Sequence, residues 1–245
     1  MKIETLLSPA ELPALAHHDL HTTACVVFDI LRATGTFVTA LQNGAKAIIP
    51  VGEISEAVAV RQKQPDVLLS GERDGVKIHA RHSGGIDFDF GNSPREFTPG
   101  LVDGRIIVST TTNGTRALRA CAAGKIVLAA SFLNLAATAK FLQHAKFAKI
   151  LLICAGTGEG VALEDVLAAG ALADALDGEE CDATKTAHHT FLHASSRLPA
   201  AIAGSTNGGR LLAIPALHDD VAFCSQRDVA DLVARLDANG HLTRV

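Results

Sequence analysis

Short apolar runs alternate with helical repeats of hydrophobic residues along most of the chain. Apolar runs predict buried strands at residues 24–28, 47–51, 67–70, 106–108, 126–130 and 149–154. Helical spacing predicts helices over residues 37–42, 54–64, 116–122, 133–144 and 163–176. Alternating strands and helices indicate parallel strands with right-handed crossovers and helices on both faces of the sheet. The pattern therefore predicts a three-layer α/β/α fold.

The two ends and the middle of the chain give weaker patterns. We expect a strand at residues 2–7, helices at 9–16 and 181–193, a loop at 205–210, a strand at 221–224 and a last helix at 229–236. Residues 76–100 have no helical or strand period. A long irregular segment inside a compact chain is usually functional or disordered, and its interleaved phenylalanines argue against disorder.

The second half of the chain repeats the pattern of the first. Residues 26–29, with Thr36 and Ala40, align at one constant offset with residues 106–109, Arg116 and Ala120. We interpret this as a duplication into two similar halves related by a pseudo-twofold. Residues 1–100 form the first half, with a long active-site loop, and residues 101–245 the second, with C-terminal helices. The alternative is the self-similarity common to all βα chains.

A hydroxyl-rich turn follows the strand at residues 106–108. Residues 109–112 all carry hydroxyls, Asn113-Gly114 comes next, and a helix begins with Arg116 in its first turn. Unpaired backbone N–H groups, hydroxyls and a helix N-terminus favour phosphate, carboxylate or sulfonate. Threonine β-propensity and an ordinary Asn-Gly turn explain the same residues without a ligand. The motif lacks the glycine pattern of a P-loop or a dinucleotide fold.

The composition of the chain argues against nucleic acid and membranes as binding partners. The 245 residues carry a net charge of −4 and contain no Trp or Tyr, so neither a basic footprint nor an aromatic platform indicates nucleic acid. Five scattered cysteines without a C-x-x-C pair are typical of reduced thiols. The N-terminus resembles no signal peptide, and the longest apolar stretch, residues 126–139, is too short to span a membrane. We expect a cytoplasmic protein with no membrane partner; a homo-oligomer is left open.

Eight short runs, in order along the chain, resemble the 2-phosphosulfolactate phosphatase family. They are residues 29–34, 43–46, 71–73, 88–94, 110–117, 131–134, 154–156 and 163–170. The resemblance implies a Mg2+-dependent phosphatase that converts 2-phosphosulfolactate to 3-sulfolactate and phosphate, a step towards coenzyme M in organisms that make it. It also implies two intertwined α/β halves. Two departures lie beside the expected site: residues 79–87 form a longer link, and Gly35 replaces a common hydroxyl residue.

A phosphate monoester needs positive charge around its oxygens, an in-line nucleophile, and a proton or a metal for the leaving oxygen. Carboxylates at strand ends or helix starts suit Mg2+, and arginine offers phosphate or sulfonate a bidentate fork. The predicted catalytic residues are Asp29, Glu72 and Arg116, and the predicted metal ligands are Asp29, Glu72 and Glu164. The predicted substrate-binding residues are Arg32, Arg73, Asn92, Ser93, Thr110, Thr111, Thr112, Asn113, Gly114 and Asn134.

Each assignment has a simpler alternative. Glu164 stands where an acid stabilises a helix dipole. Arg116 could pair with an acid on its own helix, and the role of Asn92 could be limited to organising its loop. Cys154, at a strand end before Gly156, could be a thiolate nucleophile, but a buried structural thiol is favoured. His189 and His193 have the spacing of zinc ligands without a third ligand in register, which favours a surface pair.

Three functions therefore stay open at the level of sequence. The first is the phosphatase acting on a small phosphorylated and sulfonated acid. The second is a phosphatase for another small phosphorylated hydroxy acid, because the sequence does not size the pocket around the sulfonate. The third is a non-catalytic anion-binding protein.

Overall fold

The apolar runs form the inner strands of a large mixed sheet. The computed structural model describes residues 1–245. All six residues of Thr23–Phe28 are buried, as expected for a strand covered on both faces. The strands are β1 Lys2–Leu6, β2 Thr23–Phe28, β3 Ala47–Pro50, β4 Leu68–Arg73, β5 Val76–Lys77, β6 Ile106–Thr110, β7 Ile126–Ala130, β8 Lys149–Cys154, β9 Glu179–Glu180, β10 Ala234–Leu236 and β11 Leu242–Arg244.

Helices connect these strands and cover the sheet. They are α1 Ala33–Gln42, α2 Ile54–Lys63, α3 Ala80–Ser83, α4 Pro99–Val102, α5 Gly114–Ala120, α6 Leu135–Ala145, α7 Leu163–Asp174, α8 Asp182–Ala194, α9 Leu198–Ala203, α10 Thr206–Leu212 and α11 His218–Cys224. Short 3-10 turns occur at Pro9–His17, Leu20–Thr22, Pro94–Glu96, Phe132–Asn134 and Ser195–Arg197. None of the helices combines the length and the apolar character needed to cross a membrane.

The sheet contains two parallel groups joined by an antiparallel hairpin. Its order is β5-β4-β6-β3-β11-β10-β7-β2-β8-β1-β9. Strands β4, β6 and β3 are parallel, as are β7, β2, β8, β1 and β9. The hairpin β10–β11 pairs antiparallel with β7 on one side and β3 on the other. Strands from residues 1–100 and 101–245 therefore interleave within one sheet; the pseudo-twofold and the boundary at residue 100 stay predictions.

Two hydrophobic cores lie on opposite faces of the sheet. Along β2, Val26 and Phe28 belong to one core, with residues of α6, α7 and α8. Cys25 and Val27 belong to the other, with residues of α1 and α5. Because successive side chains of a strand point to opposite faces, this division confirms helices on both sides of the sheet and the predicted α/β class.

The C-terminal predictions for residues 205–210, 221–224 and 229–236 are wrong. The first lies in α10, the second in α11, and the last contains β10 instead of a helix. A four-residue apolar run does not distinguish a strand from a buried helix face. The Asn239-Gly240 pair is a hairpin signal: with Gly240 at φ +77°, it turns the chain from β10 into β11.

Candidate active site

Residues that follow β2 and β8 of one parallel group, and β4 and β6 of the other, meet in one cleft. It has a volume of about 270 Å³ and lies beyond the carboxyl ends of β2, β4, β6 and β8. The cleft is lined by Asp29, Leu31, Arg32, Glu72, Asp74, Gly75, Asn92, Thr112, Asn113, Gly156, Thr157, Gly158, Asn207, Arg210, Leu211 and Ile214. Three of these sixteen are hydrophobic, so the surface suits a polar or charged ligand.

Asp29 follows the last residue of β2 and is 9% exposed. One carboxylate oxygen accepts a hydrogen bond from the backbone N–H of Ala33 at the start of α1, over 3.1 Å. Burial, with the nearby charges of Glu72 and Glu164, raises the pKa of Asp29 to about 7, although the backbone N–H groups of Ala33 and Gly114 oppose the shift. Asp29 can therefore gain or lose a proton near neutral pH.

Glu72 is held as an acceptor by backbone groups from two loops. Oε1 accepts from the backbone N–H of Thr112 at 2.9 Å and from its hydroxyl at 3.0 Å. Oε2 accepts from the backbone N–H of Gly75 at 2.8 Å. The residue is 8% exposed. Glu72 thereby fixes the β4–β5 turn against the turn that follows β6, and three hydrogen bonds stabilise its carboxylate.

The turns after β2 and β6 are in direct contact. A Cβ at Gly114 would lie 2.6 Å from Asp29 Oδ2 and 2.6 Å from the Cβ of Ala33, so only glycine fits there. Thr111 and Thr115 fix the second turn by reciprocal hydrogen bonds, with the Thr115 N–H donating to Thr111 Oγ1 at 3.1 Å and the Thr111 N–H donating to Thr115 Oγ1 at 3.3 Å. The structure thus brings an acidic turn and a hydroxyl-rich turn to one cleft.

The loop after β8 joins this group through the first turn of α7. Asp165 accepts from the N–H of Ile30 at 2.8 Å and from the N–H of Gly156 at 2.9 Å. Burial, then the charges of Asp29 and Glu164, raises the pKa of Asp165 well above its usual value. Asp165 does not line the cleft and instead ties the β8 loop to the β2 turn.

The three predicted arginines have different surroundings. Arg32 lines the cleft, is 3% exposed, and donates to Asp220 at 2.7 Å and to the carbonyl of Gly75 at 2.9 Å. Arg73 lies outside the cleft and donates to the backbone of Glu72 and to Thr110. Arg116 is half exposed and pairs with Glu159 at 2.7 Å.

Only Arg32 of the three is thus placed to act in the cleft, and the roles predicted for Arg73 and Arg116 lack geometric support. Sequence places an arginine near a strand end but does not show which way its long side chain points.

Other predicted residues belong to the scaffold around the cleft. Ser93 donates to Asp220 at 2.6 Å, and Asn134 caps the turn at Ser131 and donates to the carbonyl of Leu232. Thr110 donates to the carbonyl of Gly52. Asn92 does line the cleft, and its buried Oδ1 has no hydrogen-bond partner. Of this group, Asn92 alone faces a prospective ligand.

The cysteine and histidine candidates are outside the cleft. Cys154 is fully buried, and burial followed by the charges of Asp165, Glu11 and Glu164 raises the pKa of its thiol well above the usual value. Both properties fit a structural thiol and oppose a thiolate nucleophile. His189 and His193 are exposed on α8. They fit the surface pair that the sequence favoured.

The cleft also contains residues that the sequence analysis missed. Asn207, Arg210, Leu211 and Ile214 line one side of it. Their spacing of three, four and seven residues is a helix face, but Ser205-Thr206-Asn207-Gly208-Gly209 suggested a loop. Gly208 serves close packing instead, since its Cβ would lie 2.1 Å from the carbonyl oxygen of Ile202.

Sequence comparison identifies the relatives of this chain. A sequence model of the family described as 2-phosphosulpholactate phosphatase matches residues 10–239. The chain belongs to this family. A probable 2-phosphosulfolactate phosphatase of Thermotoga petrophila is 38% identical over 212 residues, which are 86% of this chain and 88% of that protein.

Two further relatives in the family carry the same description. The protein from Clostridium perfringens is 34% identical over 253 aligned residues, covering 100% of this chain and 97% of its own length. The protein from Caldicellulosiruptor saccharolyticus is 42% identical over 159 residues, 63% of each chain. Similarity to the family therefore extends over both halves of the sheet and over the C-terminal helices.

The resemblance to this family implies magnesium, and the cleft can be tested for a fit. Glu164 is 1% exposed; Oε1 accepts from Asn207 at 2.7 Å, and Oε2 is buried without a partner. Burial, and after it the charges of Glu72 and Glu164, disfavour the ionised form of Asp29 and raise its pKa. A cation would relieve both conditions.

The predicted metal ligands do not form a ready-made cage. No group of three or more His, Cys, Asp and Glu side chains has the spacing of a metal site. Magnesium is often held by one or two carboxylates together with water and substrate oxygens. The donors fit that arrangement, and the assignment of Asp29, Glu72 and Glu164 as ligands stays a prediction.

Proposed function

We propose that this chain is a Mg2+-dependent phosphatase that hydrolyses 2-phosphosulfolactate to 3-sulfolactate and phosphate. The observation that carries the proposal is the contact between Asp29 and the Thr112–Gly114 turn, in a polar cleft of a chain from this family. The N–H and hydroxyl of Thr112, just before the start of α5, donate to Glu72, and phosphate oxygens would compete with Glu72 for these donors. Asp29 offers a carboxylate that exchanges its proton near neutral pH.

Four residues of the cleft have a role in this proposed reaction. Asn113, whose Nδ2 donates to the carbonyl of Gly156 at 2.9 Å, holds the turn in place, and the turn orients the phosphate. Arg32 contributes positive charge from the wall of the cleft. Asp29 in its ionised form accepts a proton from the water that attacks phosphorus, and as the P–O bond to 3-sulfolactate breaks, this proton passes to the leaving oxygen, which restores ionised Asp29. Glu72 holds the loops of Thr112 and Gly75 together through its hydrogen bonds.

Magnesium, when bound, would supply positive charge to the phosphate oxygens and the leaving oxygen. The residues available to hold it are Asp29, Glu72 and Glu164, of which the first two line the cleft. Because a cation stabilises the ionised carboxylate, magnesium affinity should rise as pH increases through about 7, the pKa of Asp29.

The test is phosphate release by the purified protein. Incubation with 2-phosphosulfolactate and Mg2+ should release one phosphate per molecule of 3-sulfolactate. EDTA should stop the reaction, and excess Mg2+ should restore it. A panel that includes 2-phospholactate separates this activity from hydrolysis of another phosphorylated hydroxy acid. Tight phosphate binding without turnover, whatever divalent metal is supplied, would overturn the proposal in favour of an anion-binding protein.

A further inference from the structure

One wall of the cleft is a single helix face. Asn207, Arg210, Leu211 and Ile214 lie on α10 and the turn that follows it, opposite the strand-end residues. The helix begins at a capped end, where the N–H of Gly208 donates to Ser205 Oγ at 3.0 Å. We call this face, made of the four residues, the helical wall.

The helical wall is attached to the rest of the cleft at Asn207. Its Nδ2 donates to Thr157 Oγ1 at 2.6 Å, in the loop after β8, and to Glu164 Oε1 at 2.7 Å. Gly208 packs closely against the α9 backbone at Ile202. These contacts fix the start of α10, so Arg210 extends towards the cleft from a rigid element.

Charge distinguishes Arg210 from the other arginine in the cleft. Arg32 is already bound to the carboxylate of Asp220 and to a backbone carbonyl. Arg210 is exposed, lines the cleft, and takes part in none of the ion pairs or side-chain hydrogen bonds of the chain. The remaining charged residues of the lining are acids: Asp29, Glu72 and Asp74. Arg210 is therefore the one positively charged side chain of the cleft that has no ion-pair partner.

A small phosphorylated acid would meet this arrangement with more than one anionic group. The phosphate belongs near Asp29 and the Thr112–Gly114 turn, as argued above. A second acid group on the same molecule would face the acidic lining unless a cation met it. A guanidinium presents two parallel N–H donors to a carboxylate or a sulfonate. Leu211 and Ile214, beside Arg210, offer apolar surface to the carbon chain between the two groups.

We propose that Arg210 binds the acid group that is not transferred, the sulfonate or the carboxylate, and so selects substrates that carry one. This inference rests on the proposed function for the position of the phosphate. It makes Arg210 a specificity residue. The transferred phosphate does not need it, so a substrate without the second acid group should be insensitive to its loss.

The experiment removes one acid group from the substrate and, separately, the guanidinium of Arg210 from the protein. Three substrates are compared: 2-phosphosulfolactate, 2-phospholactate without the sulfonate, and 2-sulfoethyl phosphate without the carboxylate. Arg210→Ala should lower kcat/KM for 2-phosphosulfolactate by about 10- to 100-fold, mainly through KM, as expected for a lost hydrogen bond to a charged group. The loss should disappear on whichever trimmed substrate lacks the group that Arg210 holds.

Two variants control this experiment. Arg210→Lys keeps the charge but not the fork, so it should retain part of the discrimination. Arg119→Ala removes an exposed arginine that pairs with Glu56 outside the cleft, and it should leave all three rates unchanged. Equal losses on all three substrates, or no loss on any, would overturn the assignment of Arg210.

A binding measurement separates failure of this inference from failure of the proposed function. If the wild-type protein hydrolyses none of the three substrates, the proposed function fails. Calorimetry with 3-sulfolactate and Mg2+ then still tests Arg210. Binding to the wild type at least tenfold tighter than to Arg210→Ala would support the inference, and equal affinity or no binding would overturn it.

Discussion

The two sides of the cleft are built by different means. On one side, which we call the acid floor, Asp29 and Glu72 accept hydrogen bonds from the backbone N–H groups of Ala33, Thr112 and Gly75. On the other side, the helical wall is attached through the side chain of Asn207, and Arg210 has no partner within the chain. Backbone N–H groups fix the carboxylates of the acid floor, whereas side chains of the helical wall line the cleft and can contact a ligand.

This difference suggests that the acid floor carries out the proton transfer and the helical wall selects the substrate. A carboxylate held by backbone N–H groups keeps its position whatever substrate enters, which suits a group that handles a proton. A long side chain on a fixed helix can be changed without disturbing the sheet, which suits a group that selects the substrate. The following predictions test whether the floor and the helical wall divide the work in this way.

The largest effect is expected at the acid floor. Asp29→Asn removes the proton acceptor and a prospective magnesium ligand, so kcat/KM should fall by about 10²- to 10⁴-fold. The measurement is phosphate release under saturating Mg2+, with circular dichroism to confirm folding. Asp182→Asn, at a fully exposed carboxylate on α8, is the matched control and should keep its rate. A rate for Asp29→Asn within tenfold of wild type would remove the floor from the mechanism.

The second effect concerns the residue that joins the floor to the C-terminal helices. Asp220, fully buried on α11, accepts from Arg32 at 2.7 Å, Ser93 at 2.6 Å and Arg95 at 2.9 Å. Asp220→Asn leaves the buried guanidinium of Arg32 without its counter-charge. The free energy of unfolding should fall by about 3–5 kcal/mol, measured by urea denaturation.

The neighbouring aspartate provides the control for that prediction. Asp219 pairs with Arg95 at 3.2 Å with 71% of its side chain exposed. Asp219→Asn should therefore cost less than about 1 kcal/mol. Equal losses for the two variants would mean that the Arg32–Asp220 pair does not stabilise the cleft.

The floor could be predicted from sequence, and the helical wall could not. Asp29 follows an apolar strand and the Thr112–Gly114 turn follows another, and ligands commonly bind at the carboxyl ends of such strands, so the sequence marks both as candidate site residues. The strand order adds that residues 1–100 and 101–245 interleave. Local pattern marks both turns, but β2 and β6 belong to groups that run in opposite directions, so their meeting in one cleft depends on the folded sheet and not on a rule for parallel strands.

The wall depends on contacts that sequence does not carry. Gly208 suggested a turn, yet it permits close helix packing against the carbonyl of Ile202. The directions of Arg73 and Arg116 depend on partners far along the chain or in another loop: Thr110 and Glu159. Asp220 lies far from Arg32 in sequence, and only the folded chain shows why a carboxylate is buried there.

The third prediction follows from the pKa of Asp29. Burial and the charges of Glu72 and Glu164 raise this pKa from 3.8 to about 7. If the ionised form is active, kcat/KM should fall about tenfold per pH unit below about 7. Because the folded pKa lies above the unfolded value, the native state binds the extra proton, and stability should decrease as pH rises from about 4 to about 7.

Two pH profiles check the third prediction. At limiting substrate and sub-saturating Mg2+, the wild-type profile of kcat/KM should bend near pH 7, and saturating Mg2+ should move the bend to lower pH because a bound cation stabilises ionised Asp29. The stability of Asp29→Asn, measured by urea denaturation over the same range, should decrease less with rising pH than that of the wild type. A rate that stays constant from pH 5 to 8 would show that a different group handles the proton.

The smallest effect is expected at His188, outside both regions. It tests whether the pH dependence of the reaction comes from the acid floor or from the stability of the fold. His188 on α8 contacts Glu180 at 2.8 Å and Asp174 at 3.1 Å. Burial lowers its pKa, but hydrogen bonds and charge from the two carboxylates outweigh burial and raise it overall. The stabilisation is thus complete below about 6.5, the unfolded pKa, and is lost as pH rises through the folded pKa.

His188→Gln should therefore lower the free energy of unfolding by less than about 1 kcal/mol, and by more at pH 6 than at pH 8. Its neighbour His189, exposed on the same helix, has no carboxylate partner among the ion pairs, so His189→Gln should change neither value. Both variants should keep the wild-type pH profile of kcat/KM. A shifted rate profile in His188→Gln would mean that the fold, and not the acid floor, sets the pH dependence of the reaction.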